Sequence, residues 1–198
     1  MAKILARQAM SSALLAGGAA IVPTDTLPAL AALPQHAAQL WKLKRRPKDK
    51  PLILMAATVE ELLQYVQPQV RNEIEALAWS HWPGALTLVL PAQGVEVELL
   101  HPGAEARNLG LRVPACSVLQ RLLRCVGPLA TTSANLAGHA PSLDDQQASS
   151  CFPDLPLLAP LPWPPLSGSA STVLAWSSPG CWSLLRRGTV IPRLPSMY

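Results

Sequence analysis

Proline sets the scale of this chain. It occurs 21 times in 198 residues. Each proline lacks an N–H donor and holds φ at about −65°, so helices and central strands stop beside it. Short elements are therefore expected throughout. Pro153 to Pro165 holds six prolines in thirteen residues. This stretch, to about residue 166, is expected to be a linker or a surface crossing in extended form. Between prolines the chain is apolar, with 49% hydrophobic and 14% charged residues. That balance gives a folded core rather than disorder. One domain spanning 1–198 is the first expectation at this length. No apolar run reaches the roughly eighteen residues a membrane-spanning helix needs.

The opening segment MAKILARQAMSSALLAGGAAIVP has a faint look of a secretion signal, with Lys3 and Arg7 before small apolar residues. An amphipathic helix over 3–16 accounts for it better, with Ile4, Leu5, Met10, Leu14 and Leu15 on one side. Gly17 and Gly18 suit its end, and a buried strand follows at 19–22. Further helices are expected at 35–44, after a Thr58 cap with Glu60 and Glu61 in the first turn, at 69–79 and at 117–125. Strands are expected at 51–55, 86–90, 109–113, 129–131, 171–176 and 182–185. Residues 144–150 read as a short helix or turn, and 93–108 as polar and irregular. Trp41, Trp79 and Trp82 read as core or cover. Cys116, Cys125, Cys151 and Cys181 have no C-x-x-C spacing and read as small apolar core residues of a reducing compartment, hence a cytoplasmic location. The four histidines lie far apart, so no protein-held metal site is expected.

Three polar clusters stand out against this background. The first is Trp41 to Leu54, where Lys42, Lys44, Arg45, Arg46, Lys48 and Lys50 face a single acid, Asp49. Six of the sixteen Lys and Arg residues fall within nine positions. Such a cluster suits an anion with several oxygens, a nucleoside triphosphate or an RNA backbone, or else a solvated helix end. The second is PTDT, residues 23–26, directly after a buried strand, where α/β proteins place ligands. Thr24 and Thr26 could donate to a substrate there, or could close a turn through backbone bonds. The third is Thr132-Ser133-Ala134-Asn135, again after an apolar strand. Hydroxyls plus an amide can hold a phosphate, a carboxylate or a sugar, or can cap a turn.

Five stretches together, GGAAIVPTDT, LKRRPKDKPLIL, WPGALTLVL, LGLRVP with PLATTSAN, and STV with LLRRG, resemble the YrdC/TsaC family of threonylcarbamoyl-AMP synthases. The resemblance runs from about residue 12 to residue 191. It implies an α/β (α+β) fold, a twisted mixed β-sheet with flanking helices around an open, positively charged cavity. It implies formation of threonylcarbamoyl-adenylate and pyrophosphate from L-threonine, bicarbonate or CO₂ and ATP, with Mg²⁺ carried on the ATP. A tRNA-modifying threonylcarbamoyl-transferase complex would be the partner. By the same resemblance, Lys44 and Arg46 are the catalytic cations on the triphosphate and carbamate, both facing the cavity. Thr24 lies at the threonine end with Ser133. Thr132, Ser133 and Asn135 contact the adenylate, and Ser171 and Arg186 close the far side. Arg112 either lines the cavity or is structural. Only the single catalytic domain is matched, so the additional C-terminal domain of longer members is expected to be absent. The chain departs from the family in two stretches: its Tyr-Gly after PTDT is Pro28-Ala29 here, and Ser169-Ala170-Ser171-Thr172-Val173 lacks the acid often found before Ser-Thr-Val. Three readings stay open. They are a synthase with a reshaped amino-acid pocket, a paralogue with another substrate, and a non-enzymatic RNA-binding protein.

Overall fold

The computed structural model describes residues 3–103, 107–164 and 167–192. Ten strands are present: β1 (Ile4–Leu5), β2 (Ala19–Val22), β3 (Ala29–Ala32), β4 (Ile53–Met55), β5 (Leu86–Pro91), β6 (Asn108–Arg112), β7 (Leu129–Ser133), β8 (Leu157–Leu158), β9 (Thr172–Ser178) and β10 (Cys181–Arg186). They join one mixed sheet in the order β1-β8-β2-β3-β7-β4-β6-β5-β9-β10. The helices are α1 (Arg7–Leu15), α2 (Ala38–Lys44), α3 (Val59–Leu63), α4 (Pro68–His81), α5 (Val95–Leu100), α6 (Ser117–Val126) and α7 (Asp145–Cys151).

The strands read as apolar runs because the sheet is covered on both faces. Side chains alternate between two cores, as a period of two requires. Ile21, Leu30, Ala32 and Leu54 pack with Leu40 and Trp41 of α2, Leu62 of α3 and Ile74 of α4. Val22, Ala29, Ala31 and Met55 pack with Met10 and Leu14 of α1 and Leu119, Leu122 and Leu123 of α6. Helix α6 has the apolar spacing the sequence suggests, and all three of its expected inward leucines are fully buried.

Several local expectations are met, and their causes are visible. Thr58 caps α3 in a full capping box. Its hydroxyl accepts from Glu61 N at 3.3 Å, and Glu61 Oε2 accepts from Thr58 N at 3.3 Å. The strand predicted at 129–131 extends through Ser133, because Thr132 and Ser133 continue the antiparallel ladder opposite Leu30 and Ala29 of β3.

Other expectations are corrected. The helix predicted over 3–16 starts at Arg7; Ile4 and Leu5 instead pair in parallel with Leu157 and Leu158. Leu15 is exposed rather than inward. Residues 29–32, read from sequence as no element, form β3; alanine is a poor strand former, and only the tertiary ladder makes it one. A short helix, α5, occupies part of the stretch read as irregular. The proline-rich segment keeps Pro153, Asp154, Pro160, Pro162 and Pro164 exposed, but it is more than a surface crossing. It threads β8 into the sheet and buries Phe152, Leu157, Leu158 and Trp163, whose indole donates to Leu158 O at 2.9 Å. Pro165, the last proline of that run, lies outside the described residues. The cysteines are not core residues: Cys125 and Cys151 are exposed and Cys116 and Cys181 half-buried, all four unpaired. Trp41 and Trp82 are buried as expected, but Trp79 is half exposed on α4.

Helix α2 decides how the basic cluster is divided. It ends in a Schellman pattern, with Arg45 N bonded to Lys42 O and Arg46 N to Trp41 O. The left-handed position of that motif is filled by Arg45, at φ 51°, where glycine is the residue of least cost. The abrupt turn sends Lys44 inward and Arg46 toward the cleft described below, and leaves Arg45 in solvent. Replacing Arg45 by Gly is expected to raise stability by about 0.5–1 kcal/mol, read as a higher midpoint in chemical denaturation.

Candidate active site

The ends of β7, β4 and β6, the turn between β2 and β3, and the start and end of the β9–β10 pair surround an open cleft of about 620 Å³, mouth included. The turn contributes Thr24, Thr26, Leu27 and Pro28. Arg46 enters from the segment after α2, Ile53 and Met55 from β4, and Arg112 from β6. Thr131, Thr132 and Ser133 enter from β7, Ser171 from the residue before β9, and Arg186 from β10. Antiparallel pairing of β3 with β7 sets Ala29 opposite Ser133 and Leu30 opposite Thr132. That register brings the second and third polar clusters, more than a hundred residues apart in sequence, to one rim.

The PTDT turn is held from within and from below. Thr24 Oγ1 donates to Leu27 O at 2.7 Å and accepts from the N–H groups of Thr26 and Leu27 at 3.0 and 3.1 Å. These are the backbone bonds of a threonine-closed turn. Arg112, 2% exposed, grips the turn's other side. Its Nη1 donates to Thr26 Oγ1 at 2.9 Å, its Nη2 to Asp25 Oδ1 at 2.7 Å, and its Nε to Gly84 O at 3.0 Å. Burial pulls the Arg112 guanidinium below its usual range, and the Asp25 carboxylate opposes that shift. Asp25 also accepts from Ala115 N at 3.0 Å. Arg112 thus lines the cleft and ties two loops together, the turn after β2 and the turn before β5.

Lys44 is placed differently from expectation. It is 2% exposed and lies behind the cleft wall rather than on it. Its ammonium donates to Ser133 O at 2.5 Å, Asn135 O at 2.5 Å and Asn135 Oδ1 at 3.0 Å, which commits all three of its protons. Burial first, then the neighbouring Arg46 charge, lowers its pKa to about 8, so the ammonium form still prevails at pH 7. Asn135 is also inside the wall. Its amide donates to Leu136 O and to His139 O, at 3.0 and 2.7 Å, and its Oδ1 accepts from Ser133 Oγ at 2.6 Å. The expected contact of Lys44 and Asn135 with a ligand is therefore not what this geometry presents. They fix the turn after β7, and Thr132 and Ser133 are the members of that cluster on the surface of the cleft.

Arg46 does face the cleft. Its Nη2 donates to Pro51 O at 3.1 Å, and its buried Nε has no partner among the described residues. On the far side, Arg186 donates from Nε to Ser171 O and from Nη2 to Ser171 Oγ, both at 3.0 Å. Gly188 is obligatory there, because a Cβ would lie 2.2 Å from Ala170 O. Its N–H donates to Thr172 Oγ1 at 3.1 Å, and the Thr172 hydroxyl in turn donates to Val190 O. The residues after Arg186 fold tightly onto the start of β9 in this way. The sequence marks the acid of PTDT only as a turn former, and sequence reasoning passed over Thr87 and Thr131. Thr87 carried a usable signal: it is the one hydroxyl in the apolar run Leu86–Leu90, and it is fully buried.

Three guanidinium groups and a single carboxylate, itself paired, give the cleft a net positive charge. Among the described residues no three His, Cys, Asp or Glu side chains come together as a metal cage. Asp25 is committed to Arg112 and a backbone N–H. This donor set suits a polyanion.

A family model named Sua5/YciO/YrdC and described as "Telomere recombination" matches residues 12–188. The chain belongs to this family. A mouse protein named threonylcarbamoyl-AMP synthase is 32% identical over 97% of this chain and 70% of its own length. A Yersinia pestis protein of the same name is 39% identical over 61% of this chain and 64% of its own. The matches thus span about two thirds of these relatives. Among solved structures, Sua5 of P. abyssi in complex with L-threonine has a TM-score of 0.84 at 24% identity, over 95% of this chain and 57% of that one. E. coli YciO has a TM-score of 0.78 at 20% identity, over 95% and 96%. These two share the fold. The twisted mixed sheet with flanking helices implied by the sequence resemblance is the one observed.

The two expected cations should separate in experiment. Lys44→Met takes a donor from three buried oxygens, of which Asn135 Oδ1 keeps Ser133 Oγ and Ser133 O keeps Asn135 N, and is expected to lower stability by about 1–3 kcal/mol. Arg46→Ala is expected to change stability by less than about 1 kcal/mol while abolishing binding of inorganic pyrophosphate. Thermal melts and titration calorimetry on both variants check this.

Proposed function

We propose that this family member is a threonylcarbamoyl-AMP synthase, a nucleotidyltransferase acting on L-threonine, bicarbonate or CO₂, and ATP. The observation that carries the reading is the convergence of Arg46, Arg112 and Arg186 with the hydroxyls of Thr132, Ser133 and Ser171 on one open cleft. The shared name of the mouse and Yersinia relatives supports it, and so does the L-threonine held by the P. abyssi structure of the same fold.

The chemistry asks for fixed positive charge and positioning rather than for a protein nucleophile. The threonine amine attacks CO₂ and loses a proton, giving a carbamate. A carbamate oxygen then attacks the α-phosphorus of ATP, and the bond from that phosphorus to the bridging oxygen breaks. The bridging oxygen leaves with pyrophosphate. Negative charge grows on the phosphoryl oxygens and on the leaving group. Arg46 and Arg186, on opposite walls, supply preorganised stabilisation of that charge. Burial lowers the pKa of both, with Asp49 opposing the shift at Arg46. A guanidinium still remains charged at neutral pH. Lys44 keeps Ser133 in place from behind, and Thr132 and Ser133 face the adenylate and the amino acid. Thr24 shapes the threonine end through the turn it closes. Mg²⁺ enters as part of the nucleotide substrate. The product would pass to a tRNA-modifying threonylcarbamoyl-transferase complex. No helix among the described residues is long and apolar enough to cross a membrane. We place the protein in the cytoplasm on its four unpaired cysteines.

One observation favours a second reading, a paralogue for another amino acid. Pro28 lines the cleft, where it offers no donor, and its carbonyl is committed to Ala134 N at 2.9 Å. Leu27 and Ala29 flank it, so this part of the wall is apolar. Pyrophosphate release from MgATP separates the two readings. Release that requires both L-threonine and bicarbonate is expected; release with a different amino acid would replace threonine as the substrate. With threonine as substrate, Pro28→Tyr should lower its KM about threefold or more, the gain of one hydrogen bond.

A further inference from the structure

We infer that Thr87, a residue outside the cleft surface, sets the polarity of Ser171, so that the Ser171 hydroxyl is preset as a proton donor to a phosphate oxygen. The inference rests on the reading of the cleft as a nucleotide triphosphate site. It begins with the protons available. Thr87 lies on β5, is fully buried, and is absent from the cleft lining. Its Oγ1 has one hydrogen-bonding neighbour among the described residues, Ser171 Oγ at 2.8 Å. A buried hydroxyl without an acceptor loses a bond it would have in water. Thr87 must therefore donate to Ser171.

Ser171 Oγ also accepts from Arg186 Nη2 at 3.0 Å. A serine oxygen has two acceptor positions and one proton. With Thr87 and Arg186 both donating to it, its acceptor capacity is full. Its own proton has no acceptor among the described residues, and Ser171 lines the cleft. Next to Arg186, that proton completes a set of donors with no acceptor among them, a fit for an anion and a misfit for an amine or a base edge that donates.

The opposite rim is preset the other way. Ser133 Oγ donates to Asn135 Oδ1 at 2.6 Å, and that oxygen is fixed by the Lys44 ammonium, which cannot accept. The Ser133 oxygen is thus left to accept from a ligand. Two serines on facing walls present opposite polarity, each set by a buried partner. The side chain of Thr87 is itself held. Its β-branched side chain has little χ1 freedom.

Thr87 is a positioning residue by this account, since it acts only through Ser171. The test uses the full-length chain, ATP binding by calorimetry, and pyrophosphate release. Thr87→Val keeps the shape and removes the proton. It is expected to weaken ATP binding about three- to tenfold, the worth of one misoriented hydrogen bond to a charged group, with kcat changed less than KM. Thr87→Ser should restore binding to near the wild-type value. Ser171→Ala and the double variant Thr87→Val/Ser171→Ala should bind ATP equally, because the first substitution leaves Thr87 nothing to act on. Additive losses would overturn the inference. So would wild-type ATP binding in Thr87→Val, in either case without touching the synthase reading. Should Thr87→Val fail to fold, Thr87→Ser against Thr87→Cys repeats the comparison, a weak donor replacing a good one. Wild-type protein that binds ATP but releases no pyrophosphate under any condition would remove the synthase reading and leave the inference to the binding data. Wild-type protein that binds neither ATP nor pyrophosphate would overturn both.

Discussion

A buried arginine needs a reason to stay buried, and Arg112 has three. Its guanidinium donates to Gly84 O, Thr26 Oγ1 and Asp25 Oδ1. Removing a charge from water costs several kcal/mol, which these three bonds and the opposite charge of Asp25 offset. The three acceptors come from two loops on different sides of β6, the turn after β2 and the turn before β5. The cleft exists because these loops are held apart at a fixed distance by one rigid planar group. A lysine could not do this, since its single nitrogen cannot span three acceptors in a fork.

Around that centre, many of the polar groups in the wall are committed to each other. Lys44 and Asn135 form one such set, and Thr24 with its turn forms another. What remains for a ligand is the part of each set that the internal bonds leave over. A polar wall built this way is preorganised: its dipoles need little rearrangement when charge arrives or develops.

The sequence carried the site's membership further than its roles. PTDT, Arg46, Arg112, Thr132, Ser133, Ser171 and Arg186 were all legible as candidates, and the fold brings all of them to the cleft. Lys44 and Asn135 were legible as members of polar clusters, but their direction was not. Whether the side chain of residue 44 or of residue 46 points outward depends on where α2 stops. It stops through a left-handed Arg45 that no propensity would favour. The short strands β1, β3 and β8 were illegible for a related reason. Two or four small or aliphatic residues specify nothing locally, and only partners distant in sequence make them strands. The capping box at Thr58 and the leucine face of α6 lie at the other extreme, because their causes sit within one or two turns of chain.

The two borders of the ten-stranded sheet differ in a way that bears on behaviour at high concentration. An open strand edge is a template for pairing with another molecule. On one side the outermost strand, β1, is two residues long, too short to recruit a neighbour. On the other, β10 is six residues long and exposes Leu184 and Leu185. Its register with β9 shifts twice, between Cys181 and Trp182 and between Leu184 and Arg186, and Arg186 and Arg187 follow directly. Irregular pairing bends an edge away from the flat geometry that stacking needs, and like charges repel a second copy. The same arginine that faces the cleft therefore also helps to keep the molecule from joining sheets with its own kind.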